Sequence, residues 1–420
     1  MINQNNDARL VVPSSTSLQA PIETPMQAPG FPGRWNNISP PLPKTENTLE
    51  HIRFLRKTSA IHSTLLKPDI LIENVYSSED LEAYKKAKQI WKTHDMLSSQ
   101  LQEWVEITHA EDRQSPFYLT NMKKFLTEYL LPDSSLKGNW IYYPWNGYLL
   151  HTVTEEQYQT IRFNRNRNLI TEQEQKRLRD AVIGIAGLSV GSNIAFALAY
   201  MGIGKQFKCA DCDVLETSNL NRVRFELKDM GLSKVEATCQ RLWELDPYLD
   251  CIPFIYGLTP DSLDDFVLKS PVPSVIFDEM DDFFMKIQLR FSAKKARIPI
   301  MMFTNLGDRV LIDIERYDEN PDLPILNGVL GDLPEKIRLD SFSFPQDARD
   351  MAIKFVGHLN IPERALESLE LMKTSLLGRP QLSTTVGISG EMAAYFTRKL
   401  ILGETLPSGR RLISFSDIFE

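Results

Sequence analysis

The amino-acid sequence predicts an α/β protein built on a mostly parallel sheet with helices on both faces, preceded by a mainly helical N-terminal domain. After residue 155, short apolar runs alternate with longer amphipathic segments, a pattern typical of βαβ units. Between residues 46 and 135, apolar side chains recur at helical spacing instead. A length of 420 residues suffices for two or three domains. We therefore expect three parts, residues 1–45, 46–154 and 155–420.

The composition argues against several classes of protein. Apolar residues make up 42% of the chain and charged residues 24%, an ordinary balance for a soluble globular protein. The net charge of −8 argues against nucleic-acid binding, which usually requires a basic surface. The sequence shows no apolar run near the roughly 18 residues of a membrane span. Because residues 1–10 are polar, we do not expect a secretory signal. Four cysteines do not make a disulfide framework, so we expect a cytoplasmic protein. From the charge and the lack of a long apolar run, we expect it to bind neither nucleic acid nor membrane.

Residues 1–45 are predicted to form a flexible arm. This segment holds eight of the 25 prolines, with Asn, Gln, Ser and Thr between them. Such a composition cannot bury much apolar surface. In a second interpretation, the arm docks on another part of the molecule through its apolar residues Phe31, Trp35 and Ile38.

Residues 46–154 are predicted to form the mainly helical domain. Ser77 or Ser78 is a candidate N-cap, because two acidic residues follow in the first turn. The apolar face of this helix is expected to consist of Leu81, Tyr84, Ala87 and Trp91. A second helix is expected through Leu97, Leu101 and Trp104. The aromatic run 140–151 indicates strands with a break at residues 144–147.

The predicted elements of residues 155–420 alternate between helix and strand. The Glu-, Gln- and Arg-rich segment 155–180 is expected to be helical. Strands are predicted at residues 181–185, 206–210, 275–277 and 298–304. Helices are predicted at residues 192–201, 228–245 and 282–295. Strands that are joined through helices pair in parallel, which predicts a doubly covered sheet.

A glycine-containing turn follows the first of these strands. Glycines let the backbone approach a phosphate closely, and the N-terminus of the next helix offers unpaired N–H groups. Gly187, Ser189 and Gly191 are therefore candidate nucleotide-binding residues. In the G-x-G-x-x-G frame that ends at Gly191, Ala186 and Leu188 replace the first two glycines. The turn alone is equally compatible with a purely structural role.

An acidic residue at the end of the second strand strengthens the nucleotide hypothesis. Asp211 lies twenty residues after Gly191, where a Rossmann-like fold places the acid that binds the ribose hydroxyls. Asp213 follows two residues later and is a further candidate. These residues indicate a nucleotide without distinguishing ATP from NAD.

The next segment favours ATP. The sequence Ser218-Asn219-Leu220-Asn221-Arg222 follows the acid, and Lys234 opens a helix. Phosphoryl and nucleotidyl transfer need cations that neutralise the departing phosphates. Arg222 offers a planar fork, Lys234 a compact point charge and Asn219 an amide donor. In the alternative interpretation, both cations are ordinary solvated side chains.

Acidic residues also follow the strand at 275–277. They occupy the end of the strand where ligands bind in open α/β sheets. A carboxylate there can hold a Mg²⁺ ion that bridges ATP phosphates. In the alternative interpretation, Asp281 or Asp282 only caps the following helix.

The order of these motifs resembles a known family. Along the chain they are Arg-x-x-Arg, G-x-S-x-G, D-x-D, S-N-L-N-R, G-x-x-K and D-x-x-D. This order resembles the ThiF/MoeB superfamily, the adenylating domains of ubiquitin-activating-like enzymes. The resemblance covers about residues 160–310, with a weaker match over 380–403. It implies an ATP- and Mg²⁺-dependent adenylyltransferase that activates a carboxylate, often at the C-terminus of a small carrier protein or precursor peptide, and releases pyrophosphate.

The resemblance also implies roles for individual residues. Asp211 matches the ribose ligand and Asp281 the Mg²⁺-linked acid. The phosphate-binding set is matched by Asn219, Arg222 and Lys234. Members of the family form homodimers in which an arginine reaches the partner's ATP. Arg165 matches that arginine, and Arg167 competes with it.

The chain departs from the family in several places. Many members bind zinc through two Cys-x-x-Cys pairs, whereas Cys209 and Cys212 form a single pair here, so no zinc is expected. The sequence has no cysteine after Cys251, so we expect no thioester step. Two alternatives remain open: a catalytically degraded nucleotide-binding or interaction protein, and an NAD- or FAD-dependent oxidoreductase.

Overall fold

The computed structural model describes residues 66–338, 353–372 and 374–418. The predicted arm, residues 1–45, and the segment 46–65 lie outside these ranges. All described residues belong to one compact unit. None of the described helices combines the length and the apolar character that crossing a bilayer requires.

The N-terminal part combines helices with a small sheet. Its helices are α1 (Ser78–Ala87), α2 (Leu97–Thr108) and α3 (Tyr118–Leu130). Its strands are β1 (Asp69–Leu71), β2 (Lys92–Asp95), β3 (Asn139–Tyr143) and β4 (Tyr148–Thr152). They pair in the order β1-β3-β4-β2. The aromatic run predicted β3 and β4. It did not predict β2, whose four exposed polar residues show no apolar alternation.

Ser77 is the residue that caps α1. Its hydroxyl accepts the backbone N–H of Asp80 (3.1 Å), and the Asp80 carboxylate accepts the N–H of Ser77 (2.9 Å). Leu81 is buried as expected. The prediction for Trp91 is wrong, because the helix ends four residues earlier and the chain then pairs β2 with β4. The Trp91 side chain is consequently exposed.

Seven strands form the large sheet. They are β5 (Val182–Ala186), β6 (Gln206–Ala210), β7 (Asp250–Phe254), β8 (Val275–Asp278), β9 (Ile300–Leu306), β10 (Arg309–Glu315) and β11 (Gly409–Ser414). Their order across the sheet is β11-β10-β9-β8-β5-β6-β7. The five strands from β9 to β7 are parallel, and β10 is antiparallel to both of its neighbours. The predicted, mostly parallel sheet is confirmed.

Helices cover both faces of this sheet, as predicted. They are α4 (Glu155–Arg162), α5 (Glu172–Arg179), α6 (Val190–Tyr200), α7 (Lys234–Leu245), α8 (Pro260–Val267), α9 (Phe283–Ala296), α10 (Leu333–Arg338), α11 (Glu363–Leu371) and α12 (Ser383–Leu402). Side chains from α6, α7 and α12 fill the core on one face, and those from α8 and α9 fill the core on the other.

Two helices differ from the prediction. Segment 155–180 forms two helices, because Thr171 begins a second capping box with Glu174. The predicted helix 228–245 begins only at Lys234, because Ser233 is its N-cap and the hydroxyl of Ser233 accepts the N–H of Val235.

Two glycines allow helix α6 to pack closely against both the sheet and α12. A Cβ at Gly191 would lie 2.6 Å from Cγ2 of Ile185 in β5. A Cβ at Gly390 in α12 would lie 2.8 Å from the carbonyl oxygen of Asn193. These approaches exclude any larger residue without a shift of the helices. The N-terminus of α6 is therefore held firmly at the carboxyl edge of the sheet.

The carboxyl ends of β5, β6 and β8 meet at the centre of this edge. Strand β5 lies between β6 and β8, so the direction of the crossovers reverses here. Open α/β sheets bind ligands at such a switch point. Gly187 leaves β5 with a φ of +90° and donates its N–H to the carbonyl of Ala210 (2.8 Å). Glu279, after β8, donates its N–H to the carbonyl of Ala186 (2.7 Å).

Gly187→Ala is expected to destabilise the fold more than Gly231→Ala. Both glycines have a positive φ, +90° and +89°, so both substitutions carry similar backbone strain. A Cβ at 187 would also lie 2.5 Å from the carbonyl carbon of Glu279, whereas nothing among the described residues lies within 4 Å of one at 231. We expect the additional loss at 187 to be about 1–3 kcal/mol, measured as the free energy of unfolding in urea. Equal losses would contradict this close approach.

Candidate functional site

Asp211 lies directly after β6 and is held by three neighbours. Its Oδ2 accepts the N–H of Leu188 (2.6 Å), and its Oδ1 accepts the N–H of Asp213 (2.8 Å). The Nζ of Lys234 lies 4.0 Å from Oδ1. Burial raises the pKa of Asp211, and the charge of Lys234 and the two N–H donors oppose that rise. Each carboxylate oxygen keeps a second lone pair, so the side chain can still accept hydroxyl groups.

Lys234 is a buried cation at the start of α7. Its N–H donates to the carbonyl of Asp213 (2.9 Å), which fixes the backbone, and its Nζ lies 2.8 Å from Oδ2 of Asp213. Only 7% of Lys234 is exposed. Burial and the positive end of the helix dipole both disfavour a cation at this position. Burial by itself would lower the pKa of Lys234, but Asp211, Asp213 and Asp281 outweigh it and raise that pKa.

The glycine turn leaves the N-terminus of α6 open. Ser189 occupies the N-cap position, yet its side chain accepts no hydrogen bond from the first turn. The first N–H groups of α6 are therefore available to a ligand. Gly187 and Gly191 allow the close packing of this turn. Ala186 and Leu188, which replace glycines of the usual motif, are buried core residues.

Asn219 and Arg222 lie on the turn that follows the aspartates. The Oδ1 of Asn219 accepts the N–H of Glu216 (3.1 Å), so its amide nitrogen is the group left to donate. Arg222 is half-buried, and its Nη1 donates to Oδ1 of Asn221 (2.8 Å). Its Nε is buried without a partner among the described residues. Arg222 therefore keeps a donor that none of the described residues uses.

Asp281 acts on both cations. Its charge contributes to the raised pKa of Lys234 and opposes the lowering of the pKa of Arg222. It is exposed and has no hydrogen-bond or ion-pair partner in the part of the chain that the structure describes. Asp282, not Asp281, caps α9, because its Oδ1 accepts the N–H of Met285 (3.0 Å). The capping alternative therefore applies only to Asp282.

Asp278 belongs to a buried ionic network that the sequence analysis missed. Its carboxylate pairs with Lys286 (3.0 Å) and with Arg290, and Arg290 also pairs with Glu315 (2.7 Å). Burial favours the neutral acid, but the two cations outweigh it and lower the pKa of Asp278. The network joins β8, α9 and β10 beneath the candidate site. Charged residues in a helix usually face solvent, so sequence spacing carried no signal for it.

Arg165 and Arg167 lie away from these residues within one chain. Both are exposed and follow α4. Asn166, between the two arginines, donates its Nδ2 to Gln175 (2.9 Å). Gln175 donates to the carbonyl of Gly202, which lies just past the C-terminal end of α6. The glycine turn lies at the opposite end of that 11-residue helix, about 16 Å away at ~1.5 Å per residue. The structure does not bring these arginines to the other candidates.

Three of the four cysteines meet in the core. Cys239 of α7 lies near Cys209 of β6 and Cys251 of β7, and all three are buried. Cys212 is exposed, and its sulfur lies within 4.8 Å of the carboxylates of the two neighbouring aspartates. The Cys-x-x-Cys pair is thus divided between the core and the surface. The meeting of the three buried thiols was not predicted, because it depends on the pairing of separate elements.

Most of the predicted site residues thus share one edge of the sheet. They are Gly187, Ser189, Gly191, Asp211, Asp213, Asn219, Arg222, Lys234 and Asp281. An acid lies beside the glycine turn, and the cations follow farther along the edge. Such an edge can bind a molecule with hydroxyl groups at one end and several negative charges along its length.

Two relatives with known sequences illustrate the similarity. The uncharacterized protein MT1398 of Mycobacterium tuberculosis (strain CDC 1551 / Oshkosh) is 35% identical over 288 residues, which are 68% of this chain and 39% of that protein. Ubiquitin-like modifier-activating enzyme 5 of Drosophila persimilis is 32% identical over 159 residues, 35% of this chain and 41% of the enzyme. The chain therefore spans about two-fifths of the length of these relatives.

Solved structures show a more distant likeness. E. coli tRNA N6-threonylcarbamoyladenosine dehydratase, TcdA, is 19% identical with a TM-score of 0.41, over 60% of this chain and 97% of TcdA. E. coli MccB with AMPCPP and MccA is 16% identical with a TM-score of 0.41, over 76% and 84% of the two chains. These likenesses are too distant to bear on function. The profile of the ThiF family, however, matches residues 163–417, more than half of the chain. The chain belongs to the ThiF family.

Proposed function

We propose that this protein binds ATP at the carboxyl edge of the large sheet and uses it to adenylate a carboxylate. The observation that carries the proposal is the buried Lys234, which lies 2.8 Å from Asp213 and 4.0 Å from Asp211 at the start of α7. A buried, charged lysine at the positive end of a helix is electrostatically costly, and such groups concentrate at functional sites. Membership of the ThiF family supports the proposal, because the matched residues include all three side chains.

The geometry supports one orientation of the nucleotide. Asp211 is the proposed partner of the ribose hydroxyls, since its two oxygens retain lone pairs beside the glycine turn. Lys234 and the open N-terminus of α6 are the proposed partners of the first phosphate. Arg222 and the amide of Asn219 are the proposed partners of the phosphates beyond it.

The proposed reaction needs positioning and charge rather than a protein nucleophile. A substrate carboxylate oxygen attacks the α-phosphorus, and the bond from that phosphorus to the bridging oxygen breaks. The electron pair leaves with pyrophosphate, and an acyl-adenylate forms. Negative charge grows on the departing oxygens, where Lys234 and Arg222 are available to stabilise it.

The residues at this edge fit a Mg²⁺ ion beside the phosphates. Asp281 is an exposed carboxylate with no partner in the described ranges, and carboxylate oxygens are the ligands that Mg²⁺ prefers. When bound, the ion neutralises phosphate charge. We propose Asp281 as its protein ligand. Asp213 is already paired with Lys234.

The proposed substrate is the C-terminal carboxylate of a small carrier protein or precursor peptide, and the proposed working unit is a homodimer. The name of the relative, ubiquitin-like modifier-activating enzyme 5, supports a protein-like substrate. Arg165 and Arg167 are exposed and remote from the site of their own chain. We propose that one of them reaches the ATP of a second copy, and the geometry of a single chain does not choose between them.

The two alternative functions account for less of the site. A degraded family member has no need to keep Lys234 buried and charged. An oxidoreductase needs the ribose acid but has no use for Lys234 and Arg222. The altered glycine turn, which motivated the first alternative, keeps the positive φ of Gly187 and the open end of α6.

Exchange of radiolabelled pyrophosphate into ATP tests the proposal. The full chain is incubated with ATP, Mg²⁺ and candidate peptides that end in a free carboxylate. Label in ATP that depends on the peptide supports reversible adenylation. Absence of exchange with every peptide, together with tight NAD binding, would contradict the proposal and favour the oxidoreductase.

Lys234→Ala is expected to slow the exchange by about 10²-fold or more, because one charge that stabilises the departing phosphates is lost. The control is Lys228→Ala, which removes an exposed lysine that pairs with Glu226 on the neighbouring turn. The control is expected to keep its rate within about threefold of wild type. A loss of less than about threefold in Lys234→Ala would show that this lysine has only a structural role.

Asp281→Ala is expected to abolish exchange without changing the midpoint of thermal unfolding, since the side chain is exposed and caps no helix. The matched variant, Asp282→Ala, removes the cap of α9 and should cost about 1 kcal/mol of stability while the exchange rate is kept. Wild-type exchange in Asp281→Ala would mean that the metal ligand lies elsewhere.

A further inference from the structure

A second arginine lies beside Arg222 on a segment that is distant in sequence. Residues 374–382 lead into α12, and the Nδ2 of Asn221 donates to the carbonyl oxygen of Gln381 (2.9 Å). This bond ties the segment to the immediate neighbour of Arg222. Arg379 lies two residues before Gln381, and after burial its charge is the strongest influence that lowers the pKa of Arg222.

Neither arginine forms an ion pair with an acidic residue in the described ranges, although the charge of Asp281 acts on Arg222. Arg379 is exposed and forms no hydrogen bond or ion pair with any described residue. Arg224, close by in sequence, does have such a partner in Glu391 (3.4 Å). The Nε of Arg222 is buried and unpartnered within the described ranges. Neighbouring guanidinium groups repel each other unless an anion lies between them.

The start of α12 offers further donors on the same segment. Helix α12 begins after Leu382 with no side-chain cap, so its first N–H groups have no side-chain partner. Asn193 is only 1% exposed, and its Nδ2 reaches the carbonyl oxygen of Arg222 (3.5 Å). Unpaired N–H groups at a helix N-terminus and guanidinium groups both suit an anionic ligand.

The bond from Asn221 to Gln381 indicates which part of the ligand Arg379 meets. It holds the segment of Arg379 against the turn that carries Arg222, and Arg222 is the proposed partner of the phosphates beyond the first. The charge of Arg379 also acts on Arg222. With the ribose at Asp211, Arg379 is therefore expected beside the last phosphates.

We propose that Arg379 and Arg222 together clamp the terminal phosphates of ATP and the pyrophosphate that departs. The inference rests on the proposed function, because it takes ATP as the ligand. It adds a binding residue from the segment before α12 to the residues that follow β6. It also makes the clamp selective for a triphosphate over a monophosphate, since AMP carries no group that reaches it.

Calorimetric titration with ATP and with AMP, each with Mg²⁺, tests this clamp. Arg379→Ala is expected to raise the Kd for ATP about tenfold, the effect of one lost hydrogen bond to a charged group, and to leave the Kd for AMP within about twofold. Arg379→Lys keeps the charge without the planar fork, so an intermediate Kd for ATP is expected. The matched control is Arg411→Ala on edge strand β11, about 19 Å from β5 at ~4.8 Å per strand. It should change neither Kd.

Three outcomes would overturn the inference, and they are distinguishable. A Kd for ATP in Arg379→Ala within about twofold of wild type overturns the clamp and leaves the proposed function standing. Equal losses of ATP and AMP affinity also overturn it, because the substitution then acts on the nucleoside end or on the fold. Wild-type protein that binds neither nucleotide overturns the proposed function and the clamp together.

Discussion

The contact of Lys234 with the two aspartates after β6 is the interaction on which the site depends. The lysine begins α7, and its backbone and side chain both bond to Asp213. The same contact positions the end of β6, where Asp211 also receives the N–H of Leu188 from the glycine turn. The end of β6, the glycine turn and the start of α7 are thus joined around the buried charge of Lys234. Because burial opposes that charge, it persists only while the acids surround it.

Several parts of this arrangement could be predicted from the sequence. Strands β5, β6, β8 and β9 follow from apolar runs that are separated by helical segments, and their parallel pairing follows from the crossovers. Asp211 and Asp281 could be named as candidates because they follow strands, and Lys234 because it begins a helix. The carboxyl ends of parallel strands share one edge, so these residues had to approach one another.

The remaining features depend on contacts between segments far apart in sequence. The buried pair of Asp278 and Arg290 looks like two surface charges until β8 and α9 are packed together. The prediction that Trp91 lies on the apolar face of α1 was wrong, because pairing of β2 with β4 overrides the helical spacing of its apolar neighbours. The sequence did not indicate Arg379, since its segment is brought beside the turn by a bond between two residues far apart in the chain, Asn221 and Gln381.

ATP is proposed to lie along this edge with its ribose at Asp211 and its phosphates directed from Lys234 toward Arg222. A crystal structure of the full chain with a non-hydrolysable ATP analogue and Mg²⁺ is the most direct measurement of that arrangement. We expect the ribose hydroxyls within hydrogen-bond distance of the Asp211 carboxylate and the α-phosphate beside Lys234. A nucleotide bound away from this edge, or one whose ribose lies at Arg222, would contradict the proposed arrangement.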